Sequence, residues 1–387
     1  MRTAEVVIVG GGVVGASVAY HLAARGCRDV LVIERGRQAG EGSTGRATGG
    51  FRAQFSTAAN VRLSLLAREK LLRFREEIGV DSGYRPCGYL FLAREEWQLV
   101  ALHAGQDVQR AEGLEEARRV SAVEAAQLNP AIESRGLLGG VFCPTDGFIR
   151  PMQILRGYTE AAARLGVKFE YGAEHKGFRL DARGRVETVL TGSEEIAVGS
   201  VVNAAGAWAA QVAEHAGVKL PVVPLRRQVA VTYPFELLPE EMPMTIFVED
   251  GFHLRVRDGR VLLLWPDRPS TEDAFDARFD QSWLTGVLSR ARAHVPCLKG
   301  ARIDLESCWA GLYEMSPDKH AILGRAPGVE NFYLANGSSG HGVMHAPAIG
   351  QLLAELILDG EARTLDVQLL RPERFDEGEP NAASDVL

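Results

Sequence analysis

The chain has 387 residues, with 43 basic against 50 acidic side chains and a formal net charge of −7. That balance leaves no electrostatic footprint for nucleic acid or an anionic membrane surface. Its five cysteines, Cys27, Cys87, Cys143, Cys297 and Cys308, are odd in number and lack C-x-x-C spacing, which argues against a secreted disulfide framework and for reduced thiols.

A hydrophobic run at 6–10 is the first predicted strand, so close to Met1 that no signal sequence is expected. No run approaches the roughly 18 apolar residues of a membrane-spanning helix, and a cytoplasmic protein is expected. The strand leads into Gly10-Gly11-Gly12-Val13-Val14-Gly15, an apolar helix, and a second strand at 29–34 that ends on Glu34. Each part of this Gly-x-Gly-x-x-Gly unit has a physical task. Gly10 permits the tight turn, Gly12 lets backbone approach a pyrophosphate, and Gly15 lets helix and strand pack closely. The free N–H groups at the helix start, beside Val13 and Val14, face the phosphates. Glu34, nineteen residues after Gly15, is placed to bind ribose hydroxyls. The unit predicts a bound dinucleotide, NAD or FAD.

A Gly- and Ser-rich stretch follows from Gly40 to Arg52, then a long amphipathic helix over 58–78 and a strand at 89–93. Residues 95–127 read as helices and 140–142 as a strand before the turn Pro144-Thr145-Asp146-Gly147. Pro151 opens a helix over 152–165. Strands are predicted at 167–171, 177–180, 186–190 and 195–198, and a separate buried strand at 201–206, with a helix over 207–216. Strands predominate from 222 to 266, including a hairpin turning at Asp258-Gly259. The last third has a strand at 331–335, a glycine loop at 337–342 and a helix over 347–358 with Gly360 past its end.

This order predicts an α/β protein: a Rossmann-type dinucleotide domain assembled from 1–80, 145–220 and 306–370. An α+β domain with an antiparallel sheet is inserted as 81–144 and 221–305, and 371–387 forms a disordered polar tail. A nicotinamide dehydrogenase needs one phosphate-binding turn. The second constellation, Gly337-Ser338-Ser339-Gly340-His341-Gly342, favours a dinucleotide gripped along more of its length, as FAD is. A helix start at that loop would stabilise the electron density a reduced flavin gains at its N1–C2 edge.

These motifs, in this order, resemble the D-amino-acid oxidase-like family of FAD amine oxidoreductases. The resemblance also covers Asn203-Ala204-Ala205-Gly206-Ala207-Trp208, Trp309-Ala310-Gly311-Leu312-Tyr313 and Ser316-Pro317-Asp318. It is strongest to the β subunits of heteromeric sarcosine oxidase and dye-linked L-proline dehydrogenase, and extends to glycine oxidase. It implies a glutathione-reductase-like FAD domain and a substrate domain whose sheet covers the flavin. It places Arg35, Ser43, Thr44, Arg46, Ala47, Gly49 and Gly50 along the cofactor, with His175 at the adenine through its backbone. Ala204, Ala205, Gly206 and Trp208 line the cofactor, and Gly311, Gly337, Gly340, His341, Gly342, Val343 and Met344 border the flavin loop.

The implied chemistry is oxidation of the C–N bond of a small amino acid of the sarcosine, proline or glycine type. A hydride passes to flavin N5 and the imine is hydrolysed. Such a substrate needs a cation for its carboxylate, and Arg52 matches the carboxylate-binding arginine of monomeric sarcosine oxidases. Tyr313, His341 and His253 are the other candidate catalytic groups, with Arg255 alternating beside His253 and Glu314 a candidate for a substrate ammonium or a plain surface acid. The chain departs from its relatives in several places. Tyr313 stands where glycine oxidase has arginine, Met344 where sarcosine oxidases have lysine, and Gly311 where they have the flavin-linking cysteine. FAD is therefore expected to be non-covalent. The absence of lysine between Lys219 and Lys299 leans towards a dehydrogenase. No metal site is expected. A 2-hydroxy acid dehydrogenase and a non-catalytic FAD subunit assembled with a partner remain alternatives, and either a homo-oligomer or a heteromeric complex is compatible.

Overall fold

A computed structural model describes residues 2–266 and 273–382. Residues 267–272 of the predicted second domain and 383–387 of the predicted tail lie outside the described residues.

The first of two large sheets runs β17 (Ile322–Arg325), β18 (Phe332–Asn336), β11 (Glu195–Asn203), β1 (Arg2–Val9), β2 (Val30–Glu34) and β8 (Lys168–Tyr171), with β10 (Val186–Thr191) and β9 (His175–Leu180) continuing from β11. From β18 to β8 the strands are parallel, so the crossovers must run over the faces of the sheet. Helices α1 (Val13–Ala24), α6 (Pro151–Arg164) and α9 (Gly342–Asp359) pack together there. α1 and α9 cross so closely that a Cβ on Gly350 would lie 2.7 Å from the Ser17 carbonyl carbon. The central strands are apolar throughout, as strands covered on both faces must be: Val6, Val7, Ile8 and Val32 are all buried.

The second sheet runs β16 (Trp309–Met315), β12 (Val223–Val231), β15 (Arg260–Leu264), β14 (His253–Arg257), β13 (Met244–Phe247), β4 (Tyr89–Ala93), β6 (Gly139–Cys143) and β5 (Arg118–Ser121). The predicted hairpin is β14–β15, with Arg257 opposite Arg260 and Asp258 and Gly259 at φ 55° and 72°, the two left-handed residues of a type I′ turn. One face of this sheet buries Leu90, Leu92, Leu254 and Leu263 against α8 (Leu284–His294). The other face lines a large cavity. A short pair, β3 (Gly50–Phe51) and β7 (Gly147–Phe148), ties the glycine-rich stretch to the turn at Asp146.

Several predicted boundaries shift. The helix over 58–78 is two, α2 (Ala58–Leu72) and α3 (Phe74–Ile78), because Arg73 leaves helical geometry at φ −93°, ψ 4°. The stretch 95–127 holds α4 (Glu96–Ala111) and α5 (Ala122–Leu128), but β5 lies between them. β5 carries three polar residues around Val120, an edge-strand composition that hides its pairing. The two strands read at 195–198 and 201–206 are one, β11, continuous through Gly199. The helix over 207–216 shortens to α7 (Ala209–Glu214) after a 3-10 turn. α9 begins five residues before its predicted start, with Pro347 inside it, and ends at Gly360 with φ 81°. β16, which the sequence boundaries gave to the first unit, pairs with β12 in the second sheet.

Residues 372–382 do not form a free tail. Arg374, 1% exposed, forms an ion pair with Asp318 at 2.8 Å, and Asn381 donates to the same carboxylate at 3.1 Å. No helix among the described residues is long and apolar enough to cross a membrane.

Candidate active site

A single cavity of about 1330 Å³ runs between the two sheets, from Glu34 at one end to Arg52 at the other. At the Glu34 end the work is done by backbone. Gly10, at φ 111°, has no room for a side chain: a Cβ would sit 2.3 Å from the Ala204 carbonyl oxygen. A Cβ on Gly15 would lie 2.0 Å from the Gly10 oxygen, so Gly15 serves helix–strand packing and does not line the cavity. Gly12 is different. Its Cβ would meet only Thr44 Oγ1 at 3.3 Å, and its open side faces the cavity together with Val13 and Val14. This is the cradle a pyrophosphate fits, with first-turn amides of α1 supplying donors.

Thr44 Oγ accepts from the Val13 N–H at 3.1 Å and Ser43 Oγ donates to the Leu312 carbonyl at 2.7 Å, so both hydroxyls fix the loop at the cavity wall. Glu34 accepts from the Gly11 and Gly36 N–H groups at 2.8 and 2.7 Å. Each carboxylate oxygen keeps a free lone pair for a hydroxyl of a bound ribose. The Arg35 guanidinium lies 3.4 Å above the Trp208 ring, and both border the cavity. His175 does as well, with its Nε2 buried and unpartnered and burial pushing it down to about 4. Ala204, Ala205, Gly206, Arg46, Ala47, Gly49, Gly311, Gly340, Gly342, Val343 and Met344 all line the cavity. Gly337 does not. It sits at φ 69° with its missing side chain facing Ser316 and Ile322.

The Arg52 end is built from side chains, and the strand registers explain how. Paired residues of neighbouring strands project to the same side of a sheet. Gly311 pairs with Arg227, Val229 with Leu264, Leu264 with His253, His253 with Ile246, Ile246 with Phe91, and Met244 with Tyr89. Tyr313 and Arg227 follow by the two-residue period. All of these line the cavity. Gly50 and Gly340 leave room for the two tyrosines, since Cβ atoms there would lie 1.9 Å from Tyr89 Oη and 2.4 Å from a Tyr313 ring carbon.

Arg52 stacks on Phe55 at 3.9 Å, donates to the Gln54 carbonyl and lies 3.3 Å from His341 Nε2. Burial draws it down to about 10, still charged at neutral pH. No carboxylate lies within 4 Å of it among the described residues. Its backbone is set by buried Asp146, which accepts from the Ala53 N–H at 2.7 Å and Gln54 Nε2 at 3.0 Å and is itself pushed up to about 6 by burial. His341 is driven well below its ordinary range by burial, with the Arg52 charge adding to the effect, so it is a neutral acceptor for Arg52 rather than a base. Burial likewise takes His253 down to about 4, and it bonds the Gly251 carbonyl at 2.9 Å.

Arg255, two residues on from His253, lies beyond the cavity. It donates to the carbonyls of Thr48 and Gly49 at 2.8 and 3.0 Å, so it fixes the loop instead of meeting substrate. Glu314 is not a surface acid. It is half-buried beside the cavity, accepts from the Ser338 N–H at 3.2 Å, leaves a buried Oε2 unpartnered and is raised to about 7 by loss of solvent. Sequence reasoning passed over Arg227 and Tyr89; only the strand registers turn them inward. Glu249, Asp250 and His294 form a compact acidic group, but Arg94 and Arg290 pair with it and none of the three lines the cavity.

The family model for FAD dependent oxidoreductases, DAO, matches residues 5–356. The chain belongs to the DAO family of FAD-dependent oxidoreductases. Among solved structures it is similar to L-proline dehydrogenase from P. horikoshii, at 31% identity and TM-score 0.90 over 98% of this chain and 100% of that one. It is also 30% identical to glycine oxidase of Geobacillus kaustophilus over 91% of this chain and 92% of the relative. Human mitochondrial dimethylglycine dehydrogenase is 30% identical over 96% of this chain, which spans 44% of that longer protein. The DAO-family assignment and the Gly10–Gly15 cradle agree: the enzyme is an FAD-dependent oxidoreductase, with the cofactor's fit tested by the open side of Gly12 and the free lone pairs of Glu34.

Proposed function

We propose that this oxidoreductase oxidises the C–N bond of a small amino acid of the sarcosine, proline or glycine type, with its FAD held non-covalently. The observation that carries the reading is Arg52: a half-buried, charged guanidinium on the cavity wall with no acid of its own among the described residues. A cation partly withdrawn from water is stabilised by an anion that arrives with the substrate. Arginine's fork suits a carboxylate better than any other side chain does. The similar proteins named above are, by their names, enzymes of glycine, dimethylglycine and proline, all of which carry that carboxylate.

Gly10, Gly12, Val13, Val14, Glu34, Ser43, Thr44 and the first turn of α9 are those that would hold FAD, which supplies the two-electron acceptor for a hydride from the carbon beside nitrogen. Arg52 anchors the carboxylate and so orients that carbon. Tyr89 and Tyr313, both raised by burial, keep their protons and can donate to the substrate. Neutral His253 and His341 add no positive charge against an incoming ammonium. Phe55, Phe91 and Ile246 exclude water around the reacting carbon. The imine product is hydrolysed by water.

Non-covalent binding is supported by the cysteines, none of which lines the cavity. Cys308, the nearest in sequence to Gly311, holds its sulfur between the Val231 N–H and the Asp304 carbonyl, both at 3.3 Å. Acid precipitation should release all the yellow colour, and a peptide retaining flavin mass would overturn this point. The main test is anaerobic: sarcosine, proline, glycine and 2-hydroxy acids are added to the purified holoprotein while flavin absorbance is followed. Bleaching by an amino acid is expected. Bleaching by a 2-hydroxy acid alone, or by dithionite alone, would contradict the proposal.

A further inference from the structure

We infer that the substrate carries a second acid group, held by Arg227 while Arg52 holds the first. This deepens the amino-acid reading above and rests on it. β12 places Arg227 on the cavity face opposite Gly311. Its guanidinium lies 5.6 Å from the Tyr313 ring, and among the described residues it donates to the neighbouring Arg226 carbonyl at 3.2 Å. Like Arg52, it has no carboxylate within 4 Å among the described residues. The two arginines border one cavity, whose wall also carries His253 and Tyr313.

Nothing nearby neutralises them. His253, His341, Tyr89 and Tyr313 are uncharged. Asp146 is committed to Ala53 and Gln54 and Asp318 to Arg374; Glu314 also borders the cavity, but it is held by the Ser338 N–H and its carboxyl is raised to about 7 by burial. Lys319 also borders the cavity and has a partner of its own, so Arg52 and Arg227 supply two uncompensated positive charges in a confined, partly dehydrated space. An amino acid with one carboxylate and the uncharged nitrogen that hydride loss requires brings one negative charge. A dicarboxylic amino acid, or an amino acid carrying a carboxyalkyl group on nitrogen, brings two. Matching each guanidinium with its own carboxylate leaves no uncompensated charge, the arrangement that buried ions require.

The test compares flavin reduction under anaerobic conditions by glycine, sarcosine and proline with reduction by aspartate, N-methylaspartate and iminodiacetate. At least one dicarboxylate should show a kcat/KM for flavin reduction tenfold or more above the best monocarboxylate. In Arg227→Gln that ratio should collapse to about one, and Arg227→Lys should restore part of it. Glutarate should perturb the flavin spectrum of the wild-type holoenzyme at a concentration at least tenfold below that needed for butyrate, a comparison independent of any variant's folding. A monocarboxylate preferred over every dicarboxylate, or a preference that survives Arg227→Gln, would overturn the inference and leave the amino-acid reading standing. If no compound of either class reduces a flavin that dithionite reduces, the amino-acid reading falls and takes the inference with it.

Discussion

At the Glu34 end of the cavity, recognition is written in backbone: glycines without room for a Cβ, amides of a helix start, and a carboxylate held by two N–H groups. At the Arg52 end it is written in side chains brought together largely by the strands of the second sheet, many of them half-buried and several with displaced protonation. The first kind of site is local in sequence and unforgiving of added volume. The second is assembled over long range and sensitive to charge. Perturbation should therefore separate the two ends cleanly.

The largest effect on stability is expected at a contact that underlies the Arg52 end. Arg374→Met leaves Asp318 buried without its partner, a loss of about 3–5 kcal/mol. It should also loosen the 316–320 loop, whose Asp318, Lys319 and His320 border the cavity. Thermal unfolding and proteolysis of the last dozen residues would register both changes. Next, the glycines of the Glu34 end should divide. Gly15→Ala drives a methyl against the Gly10 carbonyl and should cost about 3 kcal/mol of stability. Gly12→Ala has space within the protein and should change stability by less than about 1 kcal/mol, yet weaken FAD at least tenfold. FAD content against melting temperature distinguishes the two outcomes.

A further effect is a pH dependence. Glu314 is raised from about 4.5 to about 7. A raised acid favours the folded state below its unfolded value, and that advantage is lost as pH climbs through the folded one. Ionising Glu314 should thus cost about 3 kcal/mol between pH 4.5 and 8. Glu314→Gln removes this term, so the variant should gain on wild type as pH rises from 5 to 8. Equal melting differences at both pH values would place the Glu314 carboxyl in water. Asp146, raised to about 6, contributes a slope of the same sign that the variant keeps.

The contrast between the ends also explains what sequence reveals. The glycine triplet, Glu34, the Asp258-Gly259 hairpin and the run into Gly206 are legible because turn and strand chemistry act over a few residues. The inward direction of Arg227 is not, since Arg226-Arg227 reads as an exposed pair until the register with Gly311 is known. His253 and Arg255 share a strand face, but only the position of the 48–49 loop separates a cavity residue from a structural one. Arg374 looks like part of a solvated tail because its partner, Asp318, lies 56 residues away. Composition cannot show that pairing.

The most direct test of the division is Arg52→Gln, assayed for FAD content and for anaerobic flavin reduction by the best amino-acid substrate. Loss of a charge-assisted clamp should slow that reduction by roughly 10² to 10³ in kcat/KM. FAD stoichiometry and reduction by dithionite should stay as in wild type. Reduction by the amino acid at an undiminished rate, or loss of FAD from the variant, would contradict the account.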